Sequence, residues 1–141
     1  LEKQFARLMN EASRRDGLAG ENLLQLLELR LDNVVYRAGF ATSRRQARQL
    51  VNHGHFMLNG RRVDIPSIRV KIDDEIVVRP KSQKTGYFTE LDNVINDSVQ
   101  GPLSWLKSDG KKMTIKVTGL PKREEAETGI NEQLIVEYYS R

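Results

Sequence analysis

The middle of the chain carries local signals that fix a short helix and the hairpin that follows it. Ser43 suits the N-cap of a helix, and Gln46, three residues later, completes a capping box. Gly54 supplies the left-handed residue that ends such a helix at about His53. Asn59-Gly60, between two short apolar runs, predicts a type I′ turn. The chain must therefore accommodate a helix that runs almost directly into a two-stranded hairpin.

Apolar residues at helical spacing predict three further helices. The first covers residues 2–15. The second is rich in leucine, begins at Gly20 and ends at Gly39, with a possible break near Asp32-Asn33. The third begins at about Thr89. Helices therefore account for the start of the chain and recur in its second half.

Alternating apolar residues predict strands between and after these helices. One strand pair is expected at residues 70–72 and 76–78, on either side of an Asp73-Asp74 turn. A second pair is expected at residues 103–106 and 113–117, and the final segment, residues 130–138, fits a helix or a strand. Helices followed by strands mixed with helix indicate the α+β class.

Positive charge is concentrated in one part of the chain. Residues 37–84 contain eleven Lys/Arg and four Asp/Glu, a net charge of +7, whereas the remainder contains 12 basic and 15 acidic residues, a net charge of −3. Arginine predominates in the basic part, and its planar guanidinium suits phosphate. This segregation favours a polyanionic partner over a merely solvated charged surface.

The helix that begins after Ser43 offers the best phosphate site. Arg44 and Arg48 are i,i+4 neighbours and Arg45 is i,i+3 from Arg48, whereas Ala47, Leu50 and Val51 would pack inward. Arg44 and Arg45 lie in the first turn, where the helix dipole disfavours cations unless an anion binds. In the hairpin, Arg61 and Arg62 point to opposite faces, so at most one shares a groove with the helix; edge protection is the alternative explanation for this pair.

Other chemistry has little support in the sequence. His53 and His55 are too few for a metal site without cysteine or clustered carboxylates, and neither has a nucleophile and an orienting acid beside it. The sequence contains no cysteine, Walker loop or bilayer-spanning apolar run. Tyr87, Phe88 and Trp105 could stack on bases, although Trp105 fits a core position better. A helix followed by a hairpin favours shape-directed binding of folded RNA over reading of the DNA major groove.

Four segments together resemble the bacterial-type family of small-subunit ribosomal protein S-four: residues 31–40, 43–55, 59–67 and 130–141. The central helix and hairpin alone also resemble modules of pseudouridine synthases, a tyrosyl-tRNA synthetase and a heat-shock RNA-binding protein. Residues 81–128 match the family weakly. The family has an N-terminal extension with a cysteine zinc site in some members, and from this cysteine-free sequence we infer no metal and no cofactor.

The resemblance implies a helical subdomain, residues 1–31 with 121–141, and an inserted RNA-binding subdomain, residues 32–120, of short helices packed on a small, mainly antiparallel sheet. It implies a primary rRNA-binding protein of the cytoplasmic ribosome that nucleates assembly of the 5′ domain. It also implies contact with the fifth small-subunit protein and, in some members, binding of the protein's own mRNA. The charge pattern and the resemblance give these candidate RNA-binding residues: Arg37, Ser43, Arg44, Arg45, Arg48, Gln49, His53, His55, Arg61, Arg62, Arg69, Lys71, Lys81 and Lys84.

Two other classes of function compete with a structural ribosomal protein. An RNA-modifying enzyme or a stress-response RNA-binding protein could carry the same module, but an enzyme needs a catalytic domain with an essential acid, and we expect none in these 141 residues. A protein-binding helical module, with incidental charge, would bind its partner without the steep salt dependence of phosphate contacts.

Overall fold

A computed structural model describes residues 2–14, 19–96, 103–122 and 125 of the chain. This part contains seven helices and one five-stranded antiparallel sheet, so the predicted α+β class is confirmed. None of its helices has the length and apolarity needed to cross a membrane. The helices are α1 (Glu2–Arg14), α2 (Ala19–Glu28), α3 (Leu31–Arg37), α4 (Arg44–Asn52), α5 (Pro80–Gln83), α6 (Gly86–Thr89) and α7 (Leu91–Asn96). The strands are β1 (Phe56–Leu58), β2 (Arg61–Val63), β3 (Glu75–Val78), β4 (Leu106–Asp109) and β5 (Thr114–Val117).

Helices α1 and α2 pack on each other through a small apolar cluster of their own. Met9, Ala12, Leu23 and Leu26 are buried in it, as their helical spacing predicts. The side-chain amide of Asn22 on α2 donates to the main-chain oxygen of Ala12 on α1, at 3.0 Å. The predicted first helix is therefore confirmed, with its end at Arg14.

The predicted leucine-rich helix from Gly20 to Gly39 is wrong as a single element. Helix α2 ends at Glu28 and α3 begins at Leu31, because Arg30 between them is extended, with φ −64° and ψ 140°. The main chain here pairs instead with a distant segment: the amide of Leu31 donates to the Ile68 oxygen at 2.7 Å. The break thus precedes the expected one near Asp32-Asn33. It also coincides with the start of a compact unit, Leu29–Leu120.

The sheet of this unit has the strand order β2-β1-β3-β5-β4, with every neighbouring pair antiparallel. In β1 and β3, Phe56 lies opposite Val78 and Leu58 lies opposite Ile76. One face of the sheet is buried against the helices, because the large apolar residues of successive strands share it. The buried residues of that face are Phe56, Ile76, Val78, Ile115 and Val117. They join residues of α3, α4 and α6 in one core.

The predicted strand pair around Asp73-Asp74 is wrong in its first member. Strand β3 forms as expected, but it pairs with β1 and β5, and no named strand covers Val70 or Ile72. Asp73 has φ +75°, and the Asp74 carboxylate accepts a hydrogen bond from the Lys71 amide at 2.8 Å. The main chain therefore turns at residues 71–74 and does not continue as a strand, and Ile72 is 47% exposed.

The second half of the compact unit agrees in part with the predictions. Strand β5 lies within the predicted range, whereas β4 begins only at Leu106, and buried Trp105 precedes it. Helix α7 follows the predicted start near Thr89 by two residues. The short helices α5 and α6 were not predicted. The predicted segment at residues 130–138 lies outside the described residues, and the subdomain boundaries at 31/32 and 120/121 stay a prediction.

Candidate nucleic-acid interface

Helix α4 begins and ends as its sequence predicts. The Ser43 hydroxyl oxygen accepts a hydrogen bond from the Gln46 amide at 3.1 Å, and Gly54 has φ +76°. The reciprocal bond of the predicted capping box is displaced by one residue. The Gln46 side-chain oxygen accepts from the amide of Thr42 at 2.7 Å and from the Thr42 hydroxyl at 2.8 Å, not from Ser43. The start of α4 is thus fixed by two side chains.

The outward face of α4 is basic and lies over a buried apolar face. Ala47 and Val51 are buried, whereas Arg45, Arg48 and Gln49 are exposed. No acidic residue lies in the first turn, so nothing on the helix itself offsets the two cations there. This arrangement presents two guanidinium groups and an amide from a helix whose position is set by the core.

Arg44 differs from the other two arginines. It is half-buried: its Nε donates to the Asn33 side-chain oxygen at 3.3 Å, and its guanidinium carbon lies 4.8 Å from the centroid of the Tyr36 ring. Arg44 and Arg48 have the predicted i,i+4 spacing on α4, but the guanidinium of Arg44 packs on Tyr36 of α3 in a cation–π contact. It therefore holds α3 and α4 together as well as adding positive charge near the cap.

The hairpin after α4 has the predicted turn. Asn59 and Gly60 both have positive φ, 50° and 85°, as a type I′ turn requires. Register places Arg61 opposite Leu58 and Arg62 opposite Met57, so the two arginines leave opposite faces of the sheet, and both are exposed. A Cβ atom at Gly54 would overlap the Arg62 guanidinium, so Arg62 is the member that reaches back to the end of α4.

The two histidines occupy different environments. His53 is exposed at the C-cap of α4, and its ring centroid lies 6.3 Å from that of His55. The Nδ1 atom of His55 lies 2.9 Å from the hydroxyl oxygen of buried Ser82 on α5, and the His55 ring is 5.4 Å from Phe88. Burial, together with the nearby positive charge of His53 and Arg79, lowers the pKa of His55 from 6.5. The described part of the chain holds no cluster of three potential metal ligands.

This lowered pKa predicts a pH-dependent stability. The unfolded chain binds a proton at His55 more readily than the folded protein does. The contribution of His55 to stability is therefore fully present above pH 6.5 and is lost as the pH falls below this value. Chemical denaturation between about pH 7.5 and about pH 5.5 should show a smaller decline for His55→Asn than for the unsubstituted protein. Parallel declines in both proteins would contradict the assignment to His55.

Helices α5 and α6 contact both ends of α4, which the sequence pattern did not predict. At one end the Tyr87 hydroxyl donates to the Phe40 oxygen at 2.7 Å and lies 3.5 Å from the Gln46 side-chain oxygen. At the other end His55 contacts Ser82 and Phe88. Pro80, which suits the first turn of a helix, was the available sign of α5.

The proposed stacking of aromatic residues on bases has no support at two of the three positions. Phe88 and Trp105 are each 1% exposed, so both belong to the core, as was favoured for Trp105. Tyr87 is half-buried with its hydroxyl bonded inside the protein, and burial raises its pKa above 10.0.

The remaining predicted residues are spread over other elements of the compact unit. Arg37 is half-buried in the last turn of α3, whereas Arg69 and Lys71 are exposed in the loop between β2 and β3. Lys81 is exposed on α5 and Lys84 is exposed at its C-cap. His55 contacts this helix through Ser82. The structure thus groups Arg45, Arg48, Gln49, His53 and Arg62 along or beside α4, with the others on neighbouring elements.

The S4 domain family matches residues 29–76, the part of the chain that holds the basic helix α4 and the tight hairpin after it, so the chain is of the S4-domain class. Small ribosomal subunit protein uS4 of Chloroflexus aurantiacus is 56% identical over 142 residues, which cover 100% of this chain and 68% of that protein. The uS4 protein of Acidothermus cellulolyticus is 55% identical, over 100% of this chain and 67% of that protein. The uS4 protein of Syntrophomonas wolfei is 51% identical, over 99% of this chain and 66% of that protein. The chain belongs to the family of small ribosomal subunit protein uS4. It is therefore a structural, non-enzymatic protein, which confirms the resemblance found in its sequence.

Proposed function

We propose that this chain binds small-subunit rRNA as a structural component of the ribosome, and that α4 with the β1–β2 hairpin forms its main contact surface. The observation that carries this proposal is the exposed pair Arg45 and Arg48 on a helix anchored through Ala47 and Val51, within the segment that matches the S4 domain. Guanidinium groups form paired, charge-assisted hydrogen bonds with phosphate oxygens. The arrangement therefore suits the RNA backbone.

The contacts around α4 reduce the cost of binding. Three contacts hold the start of the helix in one position before RNA binds. They join Arg44 to Tyr36, Gln46 to Thr42 and Tyr87 to Phe40. Less conformational freedom is then lost on association. The positive end of the helix dipole adds to the positive potential at the same end. The site thus suits the positioning of a phosphate of the RNA backbone.

The candidate residues outside α4 extend this surface. Arg61 and Arg62 on the hairpin, and Lys81 and Lys84 around α5, are exposed cations that can reach further phosphates of a folded RNA. Ser43 and His55 act mainly by holding their neighbours, since Ser43 caps α4 and His55 contacts Ser82. Arg37, in the last turn of α3, adds positive charge to the compact unit. Arg69 and Lys71 offer contacts from the loop between β2 and β3.

The finer assignments rest on the family resemblance. We propose that the RNA bound is the 5′ domain of the small-subunit rRNA and that binding nucleates assembly of this domain. We further propose the fifth small-subunit protein as a neighbour and the protein's own mRNA as a possible second RNA ligand. The +7 charge of residues 37–84 supports the two RNA ligands but not a choice between them.

A salt titration tests the function. With four phosphate contacts, the affinity for a 5′-domain rRNA fragment should fall about 150-fold between about 50 mM and about 200 mM salt. A DNA duplex of matched length should bind more weakly at every salt concentration. An affinity that does not change with salt would contradict phosphate binding, and equal affinity for the DNA would contradict recognition of folded RNA.

A further inference from the structure

The hairpin of β4 and β5 is basic although it lies outside the basic part of the sequence. Residues 106–117 contain four lysines and a single acidic residue, Asp109. All four lysines are exposed. The Asp109 carboxylate is occupied by the turn, because it accepts hydrogen bonds from the amides of Lys111 at 3.0 Å and Lys112 at 3.1 Å. With four lysines and one acid, the hairpin carries a net charge of +3.

Two of these lysines stand side by side on the solvent face of the sheet. Lys107 on β4 lies directly opposite Lys116 on β5. The neighbours of Lys116 along the strand, Ile115 and Val117, are buried in the core, so Lys116 points to the opposite face. Directly opposed residues of an antiparallel pair have Cβ atoms about 5 Å apart. Two ammonium groups therefore share a small area of surface.

The described residues explain this placement only in part. Like charges directly opposite each other destabilise a sheet. Protection of a sheet edge explains Lys107, since β4 is an edge strand, but not Lys116, since β5 lies between β3 and β4. Glu75 on β3 is the other cross-strand neighbour of Lys116 and attracts it, although the described part of the chain shows no ion pair between them. One carboxylate offsets only one of the two ammonium groups.

We propose that Lys107 and Lys116 form a second phosphate-binding surface for RNA, separate from the face of α4. An RNA phosphate between the two ammonium groups would relieve their repulsion, and lysine binds phosphate as a mobile point charge. The helices cover the buried face of the sheet, whereas this pair lies on the other face. One segment of a folded RNA would then contact α4 and another would contact the sheet. The proposal rests on the RNA-binding function given above.

The test compares two variants that each remove two positive charges. Lys107→Gln/Lys116→Gln changes the proposed surface, and Lys3→Gln/Arg7→Gln changes two exposed residues of α1. In the full chain, the first variant should bind a 5′-domain rRNA fragment about tenfold more weakly at about 0.1 M salt, with the slope of log K against log salt reduced by about two. The α1 variant should retain the slope of the unsubstituted protein.

Thermal unfolding provides a second readout. Because a repulsive pair is removed, Lys107→Gln/Lys116→Gln should unfold at a temperature no lower than that of the unsubstituted protein, so weaker binding cannot come from a damaged fold. Unchanged affinity and slope in this variant, while the unsubstituted protein binds, would overturn this proposal alone. An equal loss in the α1 variant would overturn it too, since net charge would then be the cause. No binding by the unsubstituted protein would overturn both proposals.

Discussion

Replacement of Arg45 and Arg48 together by glutamate is expected to weaken binding to a 5′-domain rRNA fragment by about a hundredfold or more at about 0.1 M salt. Each arginine lost removes a charge-assisted contact of about 1.5 kcal/mol or more, and each glutamate adds repulsion from phosphate. Both residues are exposed on α4, and no described contact ties them to the core. The free energy of unfolding should therefore change little, and a filter-binding or fluorescence titration measures the loss.

The matched control makes the same charge change elsewhere. Lys3→Glu/Arg7→Glu on α1 alters two exposed residues outside the basic part of the sequence. Its affinity should fall far less than that of Arg45→Glu/Arg48→Glu. If both double variants lose the same affinity, the surface of α4 is not the site. Arg44→Glu is unsuitable for this comparison, because it also breaks the contacts of Arg44 with Asn33 and Tyr36.

Phe56→Ala is expected to destabilise the compact unit by about 3–5 kcal/mol, a large part of the stability of a small domain. Phe56 is fully buried on β1, and its ring meets that of Phe88 edge-to-face, with centroids 6.0 Å apart. Truncation leaves a cavity between the sheet and α6, which the surrounding side chains fill only in part. Denaturant unfolding, followed by the fluorescence of buried Trp105, measures the change.

An exposed residue of similar apolar character serves as the control for this variant. Ile65 is 56% exposed in the loop after β2, so Ile65→Ala should change the free energy of unfolding by less than about 0.5 kcal/mol. A loss below about 1 kcal/mol for Phe56→Ala would contradict the position of its ring in the core. RNA affinity should fall with the folded fraction, since Phe56 is the first residue of the hairpin strand β1.

Predictions from the sequence succeeded where the determinants are local. Ser43, Gly54 and Asn59-Gly60 each act within a few residues of the main chain, and the structure confirms the cap, the helix end and the turn. The shift of the Gln46 bond to Thr42 is a difference of one residue that spacing alone does not resolve. The same local rules gave β5 and α1 within a few residues.

Predictions failed where a distant segment decides the local conformation. Helical periodicity runs through residues 20–39, but main-chain pairing with residues 68–70 breaks the helix at Arg30. Val70 and Ile72 alternate like a strand, yet the Asp74 carboxylate bonds to Lys71 and turns the chain there. Helices α5 and α6 are four residues each, too short for periodicity to reveal.

The candidate site shows the same division between local and distant effects. The spacing of Arg44, Arg45 and Arg48 was sufficient to place them on one helix with Ala47 and Val51 inward. Only the tertiary fold brings Asn33 and Tyr36 to Arg44, and only it brings Tyr87 to the start of α4. The spacing in the sequence therefore predicted the positions of the three arginines but not the contacts that hold Arg44.

The central position of β3 has a consequence for how the protein folds. Strands β1 and β2 meet through a two-residue turn, and β3 joins them after the eleven residues 64–74, so the contacts in this half of the sheet join residues closer in sequence than those between β3 and β5. Strand β5 must find β3 across the long segment between Val78 and Thr114, at a greater loop-closure entropy. We expect the α4 hairpin module to form early and the β4–β5 hairpin to dock late. During synthesis, the face of α4 would then be in place before the lysine-bearing edge of the sheet is complete.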